Sequence, residues 1–221
     1  MRVLIYGEPG CGKTLLAATA GAGTVFYDME DGFSSVLNVK DAWTEERKKC
    51  HVISINEKSP STATAYNELM GYIRKGGDYN ALVLDSISAV GDYAFRQAMV
   101  SSRANLYDPP QIQHWGRRDL LMKELLMYLR SFKGLVIVTG HECEKGDSKA
   151  TIALSGKSFP AEFTRYFDEI WRLTSYAVGG KFIQRIQTLS TSAAVARSRL
   201  NLPDGMEITG MSIRQILEGK K

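Results

Sequence analysis

The octapeptide Gly7-Glu8-Pro9-Gly10-Cys11-Gly12-Lys13-Thr14 constrains this chain more than any other feature. It sits between an apolar run, Arg2 to Tyr6, and a segment of helical composition, Lys13 to Ala20. Its spacing is G-x-x-x-x-G-K-[ST], with the strand before and the helix after that the pattern requires. Glycines allow the backbone to bend so that successive N–H groups face one concavity. A helix starting near Lys13 aims the positive end of its dipole at the same place. Lys13 brings a mobile ammonium for outer phosphates, and Thr14 a hydroxyl suited to magnesium. Residues Gly7 to Leu15 are therefore expected to cradle ATP with Mg2+. Cys11 reads as a small filler at a variable position.

The remaining pattern alternates short apolar runs with helical segments. Thr24 to Tyr27, His51 to Ile55, Ala81 to Leu84 and Leu135 to Thr139 read as buried strands. Phe167 to Leu173, Phe182 to Gln187 and Met206 to Ile208 read as closing strands. Ser61 to Arg74, capped by Ser61 or Thr62, and Gln111 to Phe132 read as helices. In the second of these, Leu120, Leu121, Leu125, Met127, Tyr128 and Leu129 supply the apolar side. Glu142 to Ser158, rich in Gly, Ser and Lys, reads as a long loop. Such alternation predicts an α/β fold, a mostly parallel central sheet with helices on both faces, in one domain spanning 1–221.

Four carboxylates and one histidine fall at strand ends on the edge where open α/β sheets bind ligands. Asp85 ends an apolar strand, where it would hold the metal beside Thr14; a helix cap is the competing reading, and Ser86 caps equally well. Asp28, Glu30 and Asp31 follow the second strand. Glu30 is the first candidate for the base that activates water, Asp28 the second, and a solvated acidic turn the alternative. His141 follows the strand Leu135 to Thr139, placed either to sense the nucleotide or to serve the structure. Three scattered cysteines show neither a disulfide framework nor metal-ligand spacing, which suits a reducing compartment.

These elements occur in the order of RecA-like ATPases, and the chain resembles that family over most of its length. The acid after the second strand is the RecA-type arrangement. The likeness implies that Glu30 is the catalytic base and His141 a sensor preceding a DNA-facing loop. Within the family the chain looks like compact phage nucleotide-binding proteins, including single-strand annealing proteins of the Sak type. The immediate start on the first strand, the Trp115-containing helix, and Gly156-Lys157 before Phe167-Asp168-Glu169 carry that likeness. Arg197-Ser198-Arg199 resembles a Lys-x-Arg finger that reaches a neighbouring subunit's nucleotide, with Arg in place of Lys. The N-terminal oligomerisation region and the separate C-terminal DNA-binding domain of full-size recombinases are not expected, which favours annealing over strand exchange.

The formal charge is +4, a mild excess of 28 Lys and Arg over 24 Asp and Glu. Ala89 to Trp115 with Arg117 and Arg118 mixes bases and aromatics as single-strand binders do. Lys145, Lys149 and Lys157 offer phosphate contacts in the following loop, Lys157 also as a cross-subunit contact. The expected partners are single-stranded DNA, further copies in a filament or ring, and a single-strand-binding protein. No membrane segment is expected, and the resemblance places the protein in the cytoplasm of a phage-infected or prophage-bearing bacterium. Two other readings share the site: a ring-forming helicase-type or loader ATPase, and a nucleotide-dependent protein switch without DNA.

Overall fold

The structure is a computed structural model that describes residues 1–58, 63–143, 150–154 and 162–219. Its centre is β1 (Arg2–Gly7), flanked by β5 (Leu135–Cys143) and β7 (Glu169–Val178). Beyond β5 lie β4 (Ala81–Asp85), β2 (Thr24–Asp28) and β3 (His51–Ser54), all parallel. Beyond β7, β8 (Lys181–Gln187) and β9 (Met206–Glu207) run antiparallel, and β6 (Thr151–Ile152) pairs with the end of β5.

The inner strands are apolar throughout because both sheet faces are covered. Side chains alternate across a strand. Leu4 and Tyr6 of β1 join one core layer, while Val3 and Ile5 join the other. The first layer is closed by α4 (Ala65–Lys75), α5 (Ile87–Ser101) and α6 (Ile112–Ser131). The second is closed by α1 (Lys13–Ala18), α2 (Phe33–Leu37) and, late in the chain, α7 (Ile213–Leu217). A short helix, α3 (Thr44–Arg47), follows α2.

Three expectations about local structure need correction. Much of the segment expected to face DNA, Ala89 to Trp115, is α5, with Ile87, Val90, Ala94 and Ala98 buried at helical spacing. Trp115 packs on Phe95, ring centroids 4.3 Å apart. The buried stripe of α6 runs through Met122, Leu125, Leu126 and Leu129, whereas Leu120 and Met127 are each 67% exposed. Finally, part of the expected loop after Glu142 is strand: β5 continues to Cys143 and returns through β6. Ser61 and Thr62 lie outside the described residues; α4 begins at Ala65, after Thr64.

At the amino end of the sheet, the carboxylate of Glu169 is fully buried. It accepts from the indole N–H of Trp171 at 2.8 Å and from the main-chain N–H groups of Arg199 and Leu200 at 2.6 and 3.0 Å. A buried donor deprived of its acceptor costs about 1–3 kcal/mol. Glu169→Ala should therefore destabilise the protein by roughly 3 kcal/mol or more in urea denaturation, and an unchanged midpoint would contradict this account of the Arg199 segment.

Candidate nucleotide site

Strand register assembles the site. Gly7 of β1 lies opposite His141 of β5, and Asp28 of β2 opposite Asp85 of β4. The carboxyl ends of four adjacent strands thus meet at one edge, lining a cavity of about 550 Å³. Pro9, Gly10, Gly12, Lys13 and Thr14 form one wall and Glu30, Asp85 and His141 another.

The loop between β1 and α1 turns through Gly10 and Gly12, at φ +79° and +94°. Those are left-handed values that a Cβ disfavours. A Cβ on Gly12 would also overlap the side-chain amide of Gln184, which donates to the Cys11 carbonyl at 2.8 Å. Strand β8 thereby braces the loop from outside. Lys13 is buried, its ammonium donating to the carbonyls of Gly7 and Glu8 at 2.9 and 2.7 Å. Burial pushes the Cys11 thiol up, consistent with a packing residue.

Asp85 is buried beneath this loop. Burial raises its pKa, against hydrogen bonds from the Thr139 and Thr14 hydroxyls, while Glu30 and Asp28 add to the rise. A buried carboxylate beside a loop threonine is the donor set a magnesium ion needs, and its burial favours a cationic partner. Ser86, next in sequence, caps α5 by accepting from the Ala89 N–H at 3.3 Å. The competing cap reading of Asp85 thus falls to its neighbour.

Glu30 stands at the opposite lip. Its carboxylate accepts from the Ser86 hydroxyl at 2.5 Å, and His141 Nε2 lies 3.0 Å from each of its oxygens. The His141 hydrogen bond, seconded by Ser86 and opposed by burial, holds Glu30 below the usual carboxylate range. Reciprocally, the hydrogen bond to Glu30 lifts His141 above its ordinary value. Asp28 is otherwise engaged: buried, it accepts from the main-chain N–H groups of Glu30, Gly32 and Phe33 at 3.3, 3.0 and 2.9 Å. It shapes the acidic turn and leaves Glu30 as the carboxylate of that turn that lines the cavity.

The basic candidates are scattered. Arg197 donates to the carbonyls of Thr164, at 2.8 Å, and Phe167. Arg199 pairs with Asp168 at 2.9 Å. Asp168 also pairs with Arg2, so both lie at the amino end of β1, roughly 17 Å from this chain's own phosphate loop. Arg117 is exposed. Arg118 is buried, its guanidinium over the Trp115 ring and paired with Asp119, so it is not presented to a strand of DNA as expected. Lys145, Lys149 and Lys157 lie outside the described residues. The Ser86–Glu30 hydrogen bond, Thr139 and Gln184 escaped sequence reasoning, as did the apolar wall of Val36, Val39 and Phe182, because their roles depend on which strands are neighbours.

The sequence matches the AAA domain family over residues 1–200, and the chain belongs to that family. A curated relative, the mitochondrial sorting homolog of Caenorhabditis elegans, is 36% identical over 76 residues, which are 33% of this chain and 21% of that protein. The chain thus spans about one fifth of that relative's length. Among solved structures, a RadB recombinase superposes with a TM-score of 0.50 at 16% identity, covering 93% of this chain and 84% of the other. A KaiC-like protein from Pyrococcus horikoshii gives 0.49 at 15% identity, covering 84% and 76%. The fold is that of RecA-like P-loop NTPases. Among the described residues, no helix is long and apolar enough to cross a membrane.

The Glu30–His141 pair has a defined pH window. The stabilisation from protonated His141 is complete below about 6.5, its unfolded value, and is lost as pH rises through the raised folded value. That from ionised Glu30 is complete above about 4.3 and is lost as pH falls through its lowered value. In an NMR titration His141 should deprotonate above the ordinary histidine range, and Glu30→Gln should bring it down. A His141 titration indifferent to that substitution would contradict the pairing.

Proposed function

We propose that the protein hydrolyses ATP and uses the nucleotide to control its hold on single-stranded DNA, in annealing of the phage recombination type, with nucleotide held between subunits. The observation that carries the ATPase part is the convergence of Lys13, the Thr14–Asp85 pair and the Glu30–His141 pair on one cavity. The DNA part rests on the resemblance to annealing proteins, and the fold shared with a recombinase is consistent with it.

Bound magnesium ATP supplies the phosphoanhydride bond and a metal that withdraws charge from it. The loop amides from Gly10 to Thr14 bind phosphate oxygens. Lys13 exchanges its contacts with the Gly7 and Glu8 carbonyls for the outer phosphates. Thr14 and Asp85 would hold the metal. Glu30, kept ionised by His141 and Ser86, accepts the proton of the attacking water. His141 sits where β5 leaves the sheet for the β5–β6 arm, so a change at Glu30 reaches that arm directly. Arg197 and Arg199 would act on a neighbour's nucleotide, since they stand at the far end of their own sheet.

Nucleotide control requires that ATP bind the DNA-holding state more tightly than the other. Fluorescence anisotropy should show an oligothymidylate bound about fivefold or more tightly with a nonhydrolysable ATP analogue than without it. The affinity should fall steeply with salt, and Lys13→Ala should abolish the nucleotide effect. Equal binding with and without the analogue would overturn the coupling. No retention on single-stranded DNA at low salt would point to a protein switch instead.

A further inference from the structure

At the amino end of the sheet, opposite the phosphate loop, four arginines converge on a cleft of about 290 Å³. Arg2 comes from β1, Arg130 from the last turn of α6, Arg165 from the 3-10 turn Thr164–Tyr166, and Arg199 from the segment tied to Glu169; Tyr166 completes the wall. These elements are far apart in sequence, so their meeting is a product of the fold rather than of a basic run.

The charges are not balanced locally. Arg2 and Arg199 share one carboxylate, Asp168, at 3.2 and 2.9 Å. Burial acts to raise Asp168, but the hydrogen bonds from Arg2 and the charges of Arg2 and Arg199 prevail, holding it low. Glu169 lies behind, its oxygens taken up by the Trp171 indole and main-chain N–H groups. Arg130 and Arg165 are exposed and stand in none of the ion pairs formed among the described residues; Glu162, the acidic group that feels the charge of Arg165, is paired with Lys123 at 2.9 Å. The helix dipole accounts for a base at the end of α6, but not for three more facing it. Guanidinium groups present planar forks of donors that match phosphate oxygens two at a time. Several of them held by separate rigid elements form a prearranged receptor for an anion bearing more than one charge.

We propose that this cleft is a second anion site, taking the polyphosphate group of a nucleotide or an inorganic polyphosphate. Its source is either a nucleotide carried by a neighbouring copy or a polyphosphate free in solution; only the first alternative rests on the proposed function. A nucleic-acid strand fits less well, because the cleft is small and presents one aromatic ring.

The test is calorimetric titration of sodium tripolyphosphate, without magnesium, into the Lys13→Ala protein, whose phosphate loop lacks its ammonium. One equivalent should bind, and adding Arg130→Gln and Arg165→Gln should weaken binding at least about tenfold, the loss expected for one or two charge-assisted contacts. Both side chains are exposed and outside the described ion pairs, so the melting temperature should not move, which separates a lost site from a lost fold. Undiminished binding by the triple variant would overturn the proposal. So would an oligothymidylate that binds there while tripolyphosphate does not. With Lys13 intact, ATP-dependent assembly in sedimentation that the two glutamine substitutions abolish identifies the neighbour's nucleotide as the source. Tripolyphosphate binding without such assembly identifies the free anion. ATP binding to the Arg130→Gln/Arg165→Gln protein with Lys13 intact, measured separately, reports on the phosphate loop alone, so failure of either reading is recognisable.

Discussion

The site depends on a carboxylate that the sheet buries. Asp85 lies at the end of a strand whose neighbours on both sides are parallel, under a loop that closes over it and between two threonine hydroxyls. Its environment disfavours the charge it must carry to bind a metal, so a cation there is worth more than at the surface. The geometry holding Asp85 is set by strand register, and the same register places Gly7 opposite His141. Altering the order of β4, β5 and β1 would therefore disperse the loop, the Thr14–Asp85 pair and the Glu30–His141 pair together.

Division of labour among the acidic residues follows from their hydrogen bonds. Asp28 spends its oxygens on the turn that carries Glu30. Glu30 receives a hydroxyl from Ser86, the residue after the buried Asp85. One carboxylate shapes the turn, one is buried at the strand end where its charge is disfavoured, and one stands at the cavity lip, held below the usual carboxylate range. Because His141 joins β5 to Glu30, the nucleotide edge is mechanically continuous with the arm that leaves it. The far end of the sheet has an excess of positive groups, giving the domain two unlike ends along the same strands.

Much of this was legible in the sequence, for physical reasons. The phosphate loop, Asp85 and the inner strands announce themselves because glycine spacing and uninterrupted apolar runs are local signals. Helix α6 was legible in extent but not in orientation, since Leu120 and Met127 are as apolar as the residues that are buried. Helix α5 was missed because its bases and aromatics suggested a binding surface, whereas Ile87, Val90, Ala94 and Ala98 pack on the sheet. Arg118 misled for the same reason: its charge is satisfied inside, by Asp119 and the Trp115 ring. Gln184 and the arginine cleft were invisible, since each joins residues more than 30 positions apart and nothing local marks such a meeting.

If Glu30 activates water while Lys13, Thr14 and Asp85 do the binding, removing its charge separates hydrolysis from affinity. Paired measurements of ATP affinity and single-turnover hydrolysis on Glu30→Gln test it most directly. Affinity should stay close to that of the unaltered protein while hydrolysis slows by about 10²–10⁴-fold. Hydrolysis at the unaltered rate, in a variant that binds ATP normally, would contradict it.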